Sequence, residues 1–109
     1  MKTYLLNKVR TRRRFKMAEI KAGTNQFYME EDGEVIARIE YIPSDLDGKQ
    51  QITITHTIVN EGHNGKGLGK QLVNQVAEYA KANQLHVIAE CSYAKKVLEN
   101  SEEYKDLLL

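Results

Sequence analysis

The chain has 109 residues, of which 41% are apolar and 28% charged, with 7 Gly, 1 Pro and 1 Cys. Such a composition fits one compact domain and excludes collagen-like and disordered chains. A single cysteine cannot close an intramolecular disulfide, and no stretch approaches the roughly 18 consecutive apolar residues that a membrane span needs. We therefore expect a soluble, cytoplasmic protein that does not bind a membrane.

Basic residues are concentrated at the start of the chain. Residues 1–16 contain seven Lys or Arg and no acid, so residues 17–109 keep nine basic residues against 15 acidic ones, a formal charge of −6. This acidic part argues against nucleic acid as a partner. The arm is compatible with a phosphate-binding tail, an organelle transit peptide or an incidental extension ahead of an alternative start at Met17. We expect one domain over 17–109, and residues 1–16 to be a disordered arm or a non-native start.

Alternating apolar residues predict an antiparallel hairpin. Segments 27–29 and 35–41 alternate on either side of Asp32-Gly33, a pair that favours the positive φ of a tight turn. The positions expected on the buried face are Phe27, Met29, Val35, Ala37, Ile39 and Tyr41.

A third strand follows after a break. The run 43–48 contains Pro43 and several turn formers, and it predicts a longer loop or a second hairpin turn. Residues 52–59 are rich in β-branched side chains and form the strongest predicted strand. One face of this strand is expected to carry Ile52, Ile54, His56 and Ile58.

The pattern changes after Asn60. Four glycines fall within residues 62–69, too many for a strand or a helix interior. From Leu68 onwards apolar residues recur at helical spacing, and the helix is expected to end near Asn83 in a left-handed cap. A buried fourth strand over 85–90 and a short helix over 94–99 complete the pattern. A strand, glycine loop, helix and strand form a βαβ unit, whose two strands are parallel or splayed neighbours.

The glycine loop predicts an anion site. Glycines between a strand and a helix let the backbone approach a ligand, and the first N–H groups of the helix attract a phosphate. The spacing excludes an ATP-type loop, because Asn64 and Gln71 stand where that loop needs Gly and Ser or Thr. It also excludes a dinucleotide fingerprint, because Lys70 and Leu72 stand at the third small position. A turn kept for packing is the structural alternative.

Four landmarks in order resemble a known family. The segment Asn64-Gly65-Lys66-Gly67-Leu68-Gly69, with Leu72 after it, resembles the acetyl-CoA loop of GNAT-type N-acetyltransferases, usually Arg/Gln-x-x-Gly-x-Gly/Ala. With it, His56-Thr57, Cys91-Ser92-Tyr93 and Tyr104-Lys105-Asp106-Leu107 resemble the small GNAT-like subgroup named for its cysteine and glycine. The resemblance runs from about Glu19 to the end of the chain. Asn64 departs from the Arg or Gln of the pattern.

The resemblance implies an α+β fold with a small, mostly antiparallel sheet and a C-terminal βαβ unit whose parallel strands splay. Acetyl-CoA would bind in that cleft, with backbone amides holding the pyrophosphate and lysines adding charge. Amides near the end of the third strand would polarise the thioester carbonyl. The implied cofactor-binding residues are Ile58, Val59, Asn64, Gly65, Lys66, Gly67, Leu68, Gly69 and Lys70.

Four residues are candidates for catalysis. Cys91 is a nucleophile, a group lining the thioester pocket or an inert core thiol. His56 is a base near the thioester or a hydrogen-bonded core or cleft histidine, and Glu61 is a rival base. Tyr93 is a general acid for the departing thiolate or an aromatic that packs the last helix on the sheet.

The expected function is acetyl transfer from acetyl-CoA to an unidentified amine. The alternative is a CoA-binding module without catalysis, because the short chain lacks the N-terminal helices that build the acceptor pocket in larger relatives. The scattered histidines and single cysteine have no metal-ligand spacing, so no metal is expected. His63 and His86 are expected at the surface or in loops, and Tyr104 with Leu107 is expected to fasten the C-terminal tail to the core.

Overall fold

The computed structural model describes residues 19–109, and the predicted arm at 1–16 lies outside them. These residues form one sheet of five strands in the order β1-β2-β3-β4-β5, in which β1 to β4 are antiparallel and β5 runs parallel to β4. The elements are β1 (Ile20–Gly23), β2 (Gln26–Glu31), β3 (Glu34–Leu46), β4 (Lys49–Val59), α1 (Leu68–Ala82), β5 (His86–Ala89), α2 (Ser92–Glu99) and a 3₁₀ turn (Lys105–Leu107). The α+β prediction is confirmed, and the short edge strand β1 is an element that the sequence patterns did not predict.

Both hairpin turns have positive φ at their central residues. Asp32 and Gly33 have φ of 52° and 82°, the conformation of the tight turn predicted there. Of the longer loop and the second hairpin turn predicted at 43–48, the structure has the hairpin turn, at Asp47 and Gly48, and β3 continues through Pro43. Pro43 is tolerated there because β2 pairs with β3 only as far as Glu40, so this part of β3 is an edge.

Two β-bulges change which side chains face the core. In β3, Met29 pairs with Ala37 but Glu30 pairs with Val35, so Ile36 is an extra residue and is buried in place of Val35. In β4, His56 pairs with Glu40 and Ile54 pairs with Tyr41, so Thr55 is the extra residue.

The bulge in β4 corrects the predicted position of His56. Ile52 and Ile54 are buried, but the extra residue Thr55 reverses the alternation after them, and the His56 side chain is 66% exposed. His56 is therefore not a core histidine. Thr57 and Val59 instead face the helices, where Val59 packs against the core.

Both helices pack against one face of the sheet. Helix α1 and the inward residues of β2 to β5 form a single core, which α2 joins through Ala94 and Leu98. The other face, here called the open face, carries Tyr28, Arg38, Glu40, Thr53 and His56, none of which is buried. Within residues 19–109 no helix covers it. No helix in this part of the chain is long and apolar enough to cross a membrane.

Helix α1 ends in a left-handed residue, but that residue is not Asn83. Asn83 has φ of −105°, whereas Gln84 has φ of 57°. The Leu85 N–H donates to Ala80 O at 2.8 Å and the Gln84 N–H donates to Lys81 O at 3.3 Å, the two bonds of a Schellman motif. Asn83 is the C-cap residue that precedes Gln84, and its side-chain amide donates to Tyr79 O at 2.8 Å.

The C-terminal tail is fastened to the core, as predicted. Tyr104 is buried and its hydroxyl donates to a carboxylate oxygen of Glu78 on α1. Leu107 packs against the core, and the Leu109 N–H donates to Val87 O at 2.9 Å. The tail thereby pairs with the outer edge of β5.

Candidate active site

The parallel strands β4 and β5 separate part-way along their length. They pair only from Gln51 to Ile54 of β4. The Ile54 carbonyl then accepts hydrogen bonds from both Glu90 N–H at 3.0 Å and Cys91 N–H at 3.3 Å. Beyond this point β4 continues to Val59 while the chain after β5 turns into α2, so the predicted splay is present.

The loop between β4 and α1 is held by the bulge in β3. Asn60 donates its N–H to Ile36 O and its side-chain amide to Val35 O, both at 2.8 Å. The first bond continues the β3–β4 ladder beyond the pair of Ala37 and Val59, and the second reaches the residue that precedes the extra residue of the bulge. The start of the glycine loop is therefore anchored by side chain and backbone together.

Helix α1 begins with three backbone N–H groups that have no acceptor within the helix. Its N-cap is Gly67, with φ of 76°, and its first hydrogen bond runs from Gln71 N–H to Gly67 O at 3.1 Å. The N–H groups of Leu68, Gly69 and Lys70 precede that bond and have no partner within the helix. The first turn contains no acidic residue. These donors and the helix dipole favour an anion.

A groove of about 670 Å³ joins the splay to this helix end. Its lining consists of Thr57, Ile58, Val59, His63, Asn64, Gly65, Gly67, Leu68, Gly69 and Tyr93. Seven of the nine residues predicted to bind cofactor line it, together with the predicted Tyr93. Thr57 and His63 are additions, and the signal that could have found His63 is its position among the loop glycines.

Lys66 and Lys70, the two predicted phosphate-binding lysines, do not line this groove. Lys66 is exposed, with its Nζ 3.5 Å from His63 Nδ1. Lys70 borders a second cavity of about 400 Å³ between α1, α2 and the tail, which shares Tyr93 with the groove. Because neither lysine lines the groove, backbone N–H groups are its principal hydrogen-bond donors for an anion.

Cys91 lies beside the groove as the N-cap of α2. It is half-buried, and its Sγ is 3.6 Å from Thr57 Oγ1 on β4. Burial by itself raises the pKa of the thiol, but hydrogen bonds from the Ala94 backbone, the Thr57 side chain and the Tyr93 backbone outweigh burial and lower the pKa. The pKa of Cys91 therefore lies below that of an ordinary cysteine thiol, a property typical of reactive thiols.

Tyr93 contacts α1 and does not pack α2 on the sheet. Its side chain is 45% exposed and lines the groove. A Cβ at Gly69 would lie only 3.0 to 3.2 Å from the Tyr93 ring and hydroxyl, so the absence of a side chain at Gly69 lets the ring approach. The ring of Tyr93 therefore lies between α1 and α2 and lines one side of the groove.

The two predicted bases lie outside the groove. His56 projects from the open face, with Nδ1 3.6 Å from Glu40 Oε1. Glu61 is exposed in the loop and is not part of the groove lining. Only Cys91 and Tyr93 of the four catalytic candidates are therefore brought together on the groove side.

Comparisons with solved structures identify the fold. A GCN5-like protein from Staphylococcus aureus, solved by NMR, is 40% identical with a TM-score of 0.67, covering 84% of this chain and 88% of the other. A ribosomal-protein-alanine N-acetyltransferase from Brucella melitensis is 18% identical with a TM-score of 0.57, covering 68% and 59%. A GNAT family N-acetyltransferase from Escherichia coli in complex with CoA is 24% identical with a TM-score of 0.52, covering 59% and 38%. The fold is thus that of GNAT acetyltransferases.

The sequence agrees with this classification. The family of GCN5-related N-acetyl-transferases matches residues 26–107, most of the chain. A search among curated proteins finds no match. The chain belongs to the GCN5-related N-acetyltransferase family, which confirms the resemblance seen in its motifs.

Proposed function

We propose that the protein transfers the acetyl group of acetyl-CoA to an amine. The observation that carries the proposal is the continuity of one groove from the splay of β4 and β5 to the donor end of α1. A long, bent ligand with an anionic middle and a reactive thioester at one end fits such a groove. The Escherichia coli relative in complex with CoA supports the same choice of cosubstrate.

The loop and the helix end would hold the pyrophosphate. Leu68, Gly69 and Lys70 supply adjacent N–H donors, and Gly67 turns the chain towards them in a left-handed conformation. We call these backbone N–H groups the anion cradle. Because the cradle is made of backbone, Asn64 in place of Arg or Gln removes a side-chain contact and leaves the cradle intact. The bound cosubstrate would supply the activated acetyl group.

Strand β4 would orient the thioester. Because the Asn60 N–H points to β3, strand alternation directs the Ile58 N–H to β3 and the Val59 N–H away from it, towards the splay. An N–H in that position can donate to the thioester carbonyl as negative charge develops on its oxygen. Of the two amides predicted for this role, Val59 is the one with suitable geometry.

Cys91 has two possible roles in the transfer. As a nucleophile, its thiolate would attack the acyl carbon and CoA would leave as a thiolate, giving an acetyl-cysteine that the amine then attacks. As a lining group, it would leave the amine to attack acetyl-CoA directly. The lowered pKa and the contact with Thr57 are compatible with both roles.

Mass spectrometry distinguishes these roles. A nucleophilic Cys91 gains one acetyl group from acetyl-CoA in the absence of amine, hydroxylamine removes it, and Cys91→Ala prevents it. A lining Cys91 shows no label, and Cys91→Ala retains transfer.

A CoA-binding module without catalysis is the second candidate. The observation in its favour is the open face, where residues 19–109 build no wall around an acceptor. Two measurements separate the candidates. Thermal shift with acetyl-CoA and CoA, with ADP as the pyrophosphate control, tests binding, and release of CoA thiol in the presence of spermidine or a lysine-containing peptide tests transfer. Binding with no amine-dependent release would favour the module, and no binding would refute both.

A further inference from the structure

One asparagine–glycine pair lies in the glycine loop and lines the groove. Asn64-Gly65 is the only such pair in the 109-residue sequence, and both of its residues are exposed. An asparagine followed by glycine is prone to deamidation, because glycine has no side chain to obstruct the attack of its nitrogen on the asparagine side chain. The loop therefore carries a chemically labile side-chain amide beside the groove.

The two reacting groups of this pair are unrestrained. Within residues 19–109, neither the Asn64 side-chain amide nor the Gly65 N–H forms a hydrogen bond. Gly65 has φ of 83°, and a Cβ there would have no heavy atom within 4 Å, so no packed group blocks its movement. The Gly65 nitrogen can thus approach the side-chain carbonyl carbon of Asn64.

Two other asparagines are held more firmly. The Asn60 side-chain amide donates to Val35 O at 2.8 Å. Asn100 is followed by Ser101, whose N–H donates to Leu98 O at 3.1 Å, so the nitrogen that would attack is held in a turn at the end of α2. Hydrogen bonds of this kind slow reactions that need local movement of the backbone. Deamidation of the folded protein is therefore expected to be faster at Asn64 than at either of these residues.

A carboxylate at position 64 would be new to the groove. Among the residues that the structure describes, no Asp or Glu lines the groove, and the first turn of α1 contains no acidic residue. Asn64 shares the groove with Gly67, Leu68 and Gly69, at the end of α1 that carries the anion cradle. A negative charge there would repel a pyrophosphate and compete with it for the N–H groups of the cradle.

We propose that Asn64-Gly65 is a deamidation site, and that conversion of Asn64 to aspartate or isoaspartate weakens the binding of CoA. The isoaspartate product also adds one carbon atom to the backbone of the loop between Asn60 and Gly67. The loss of CoA affinity rests on the proposed function, whereas the deamidation itself does not.

The reaction balances with water as its co-reactant. The Gly65 nitrogen attacks the side-chain carbonyl carbon of Asn64 and gives up its proton, and the bond from that carbon to the amide nitrogen breaks. Ammonia leaves, and a succinimide ring remains. Water then opens the ring at one of its two carbonyl carbons, which gives aspartate or isoaspartate. The net change is the loss of ammonia and the gain of water, an increase of about 1 Da.

Peptide mass spectrometry tests the site on the full chain, kept either folded or unfolded in urea in mildly alkaline buffer. The unfolded chain gives the rate set by sequence alone, so the ratio of folded to unfolded rate isolates the effect of structure. We expect the folded rate at Asn64 to lie within about threefold of its unfolded rate, and the folded rate at Asn100 to lie more than about tenfold below its own. A ratio at Asn64 as low as that at Asn100 would overturn the proposal.

Isothermal titration with CoA tests the consequence. Asn64→Asp should bind CoA about tenfold more weakly than the wild type at low salt. This difference should shrink as salt is added, because salt screens a charge but does not restore a distorted loop. As the protein ages, the wild type should approach the affinity of Asn64→Asp. Asn64→Gln should keep the affinity that it had when fresh, because its longer side chain would have to close a larger ring.

Two results would contradict the predicted loss of affinity. One is an Asn64→Asp variant that binds CoA as tightly as the wild type, and the other is an aged wild type that is deamidated at Asn64 but binds CoA as the fresh protein does. Fresh wild-type protein that does not bind CoA would instead refute the proposed function. The comparison of folded and unfolded deamidation rates does not depend on that result.

Discussion

Two glycines in the same backbone conformation allow a matched test of the anion cradle. Gly67 at the N-cap of α1 and Gly33 in the β2–β3 turn have φ of 76° and 82°, and a Cβ on either would have no heavy atom within 4 Å. Alanine at either position is therefore penalised by the left-handed backbone and not by a clash. The expected destabilisation is about 1–2 kcal/mol at each site, or about 4–8 °C in Tm for each kcal/mol.

The two variants should differ in ligand binding. Only Gly67 adjoins the N–H donors of Leu68 and Gly69, and a side chain or a relaxed φ at Gly67 would displace those donors from a bound pyrophosphate. We expect Gly67→Ala to weaken CoA binding at least about tenfold, roughly 1.4 kcal/mol, and Gly33→Ala to leave it unchanged.

Urea denaturation measures the free energy of unfolding, and isothermal titration with CoA measures affinity under conditions where both variants are folded. Equal stability losses with equal CoA affinity would refute the cradle. A CoA affinity that falls in both variants alike would instead show that lost stability, and not the cradle, controls binding.

Three further predictions concern the thiol, the tail and the arm. Thr57→Val should raise the pKa of Cys91 and move the midpoint of its alkylation by iodoacetamide to higher pH, since a hydrogen bond to the thiolate is lost; an unchanged midpoint contradicts this. Tyr104→Phe should cost about 1.5 kcal/mol of stability at neutral pH, with Tyr28→Phe as the control. The bond to Glu78 raises the pKa of Tyr104 to about 12, so the wild-type advantage should disappear as pH rises from about 10, the value for unfolded tyrosine, through 12; an advantage that persists at higher pH contradicts the assignment. A chain that begins at Met17 should keep its Tm and CoA affinity, and loss of either would show that the basic arm contributes.

Local sequence patterns were sufficient where one residue's role depends on its immediate neighbours. The alternation of Phe27 and Met29 predicts β2, and the glycines before Leu68 with the helical spacing after it predict the loop and helix that line the groove. Backbone conformation at a glycine and periodicity along a helix are properties of short segments, so a short segment is enough to recognise them.

The remaining features depend on contacts between distant parts of the chain. The extra residues Ile36 and Thr55 have no compositional signature, because a bulge is defined by the register of the partner strand. The proximity of Tyr93 to Gly69 likewise depends on how the two helices pack. Gln84 shows the same limit in a turn, since a non-glycine residue takes the left-handed position that Asn83 was expected to occupy.

The bulge at Thr55 links the chemistry of the site to the register of β4. Side chains alternate with a period of two, and Thr55 is the one residue that breaks this period between Ile54 and His56. If β4 paired regularly through Thr55, His56 would turn towards the helices, and Thr57 would leave Cys91 for solvent. Deletion of Thr55 would instead remove the bulge and keep both orientations, because Ile54 and His56 already pair with the adjacent residues Tyr41 and Glu40. The side chain that β4 presents to Cys91 is therefore decided by one unpaired residue that does not itself contact the thiol.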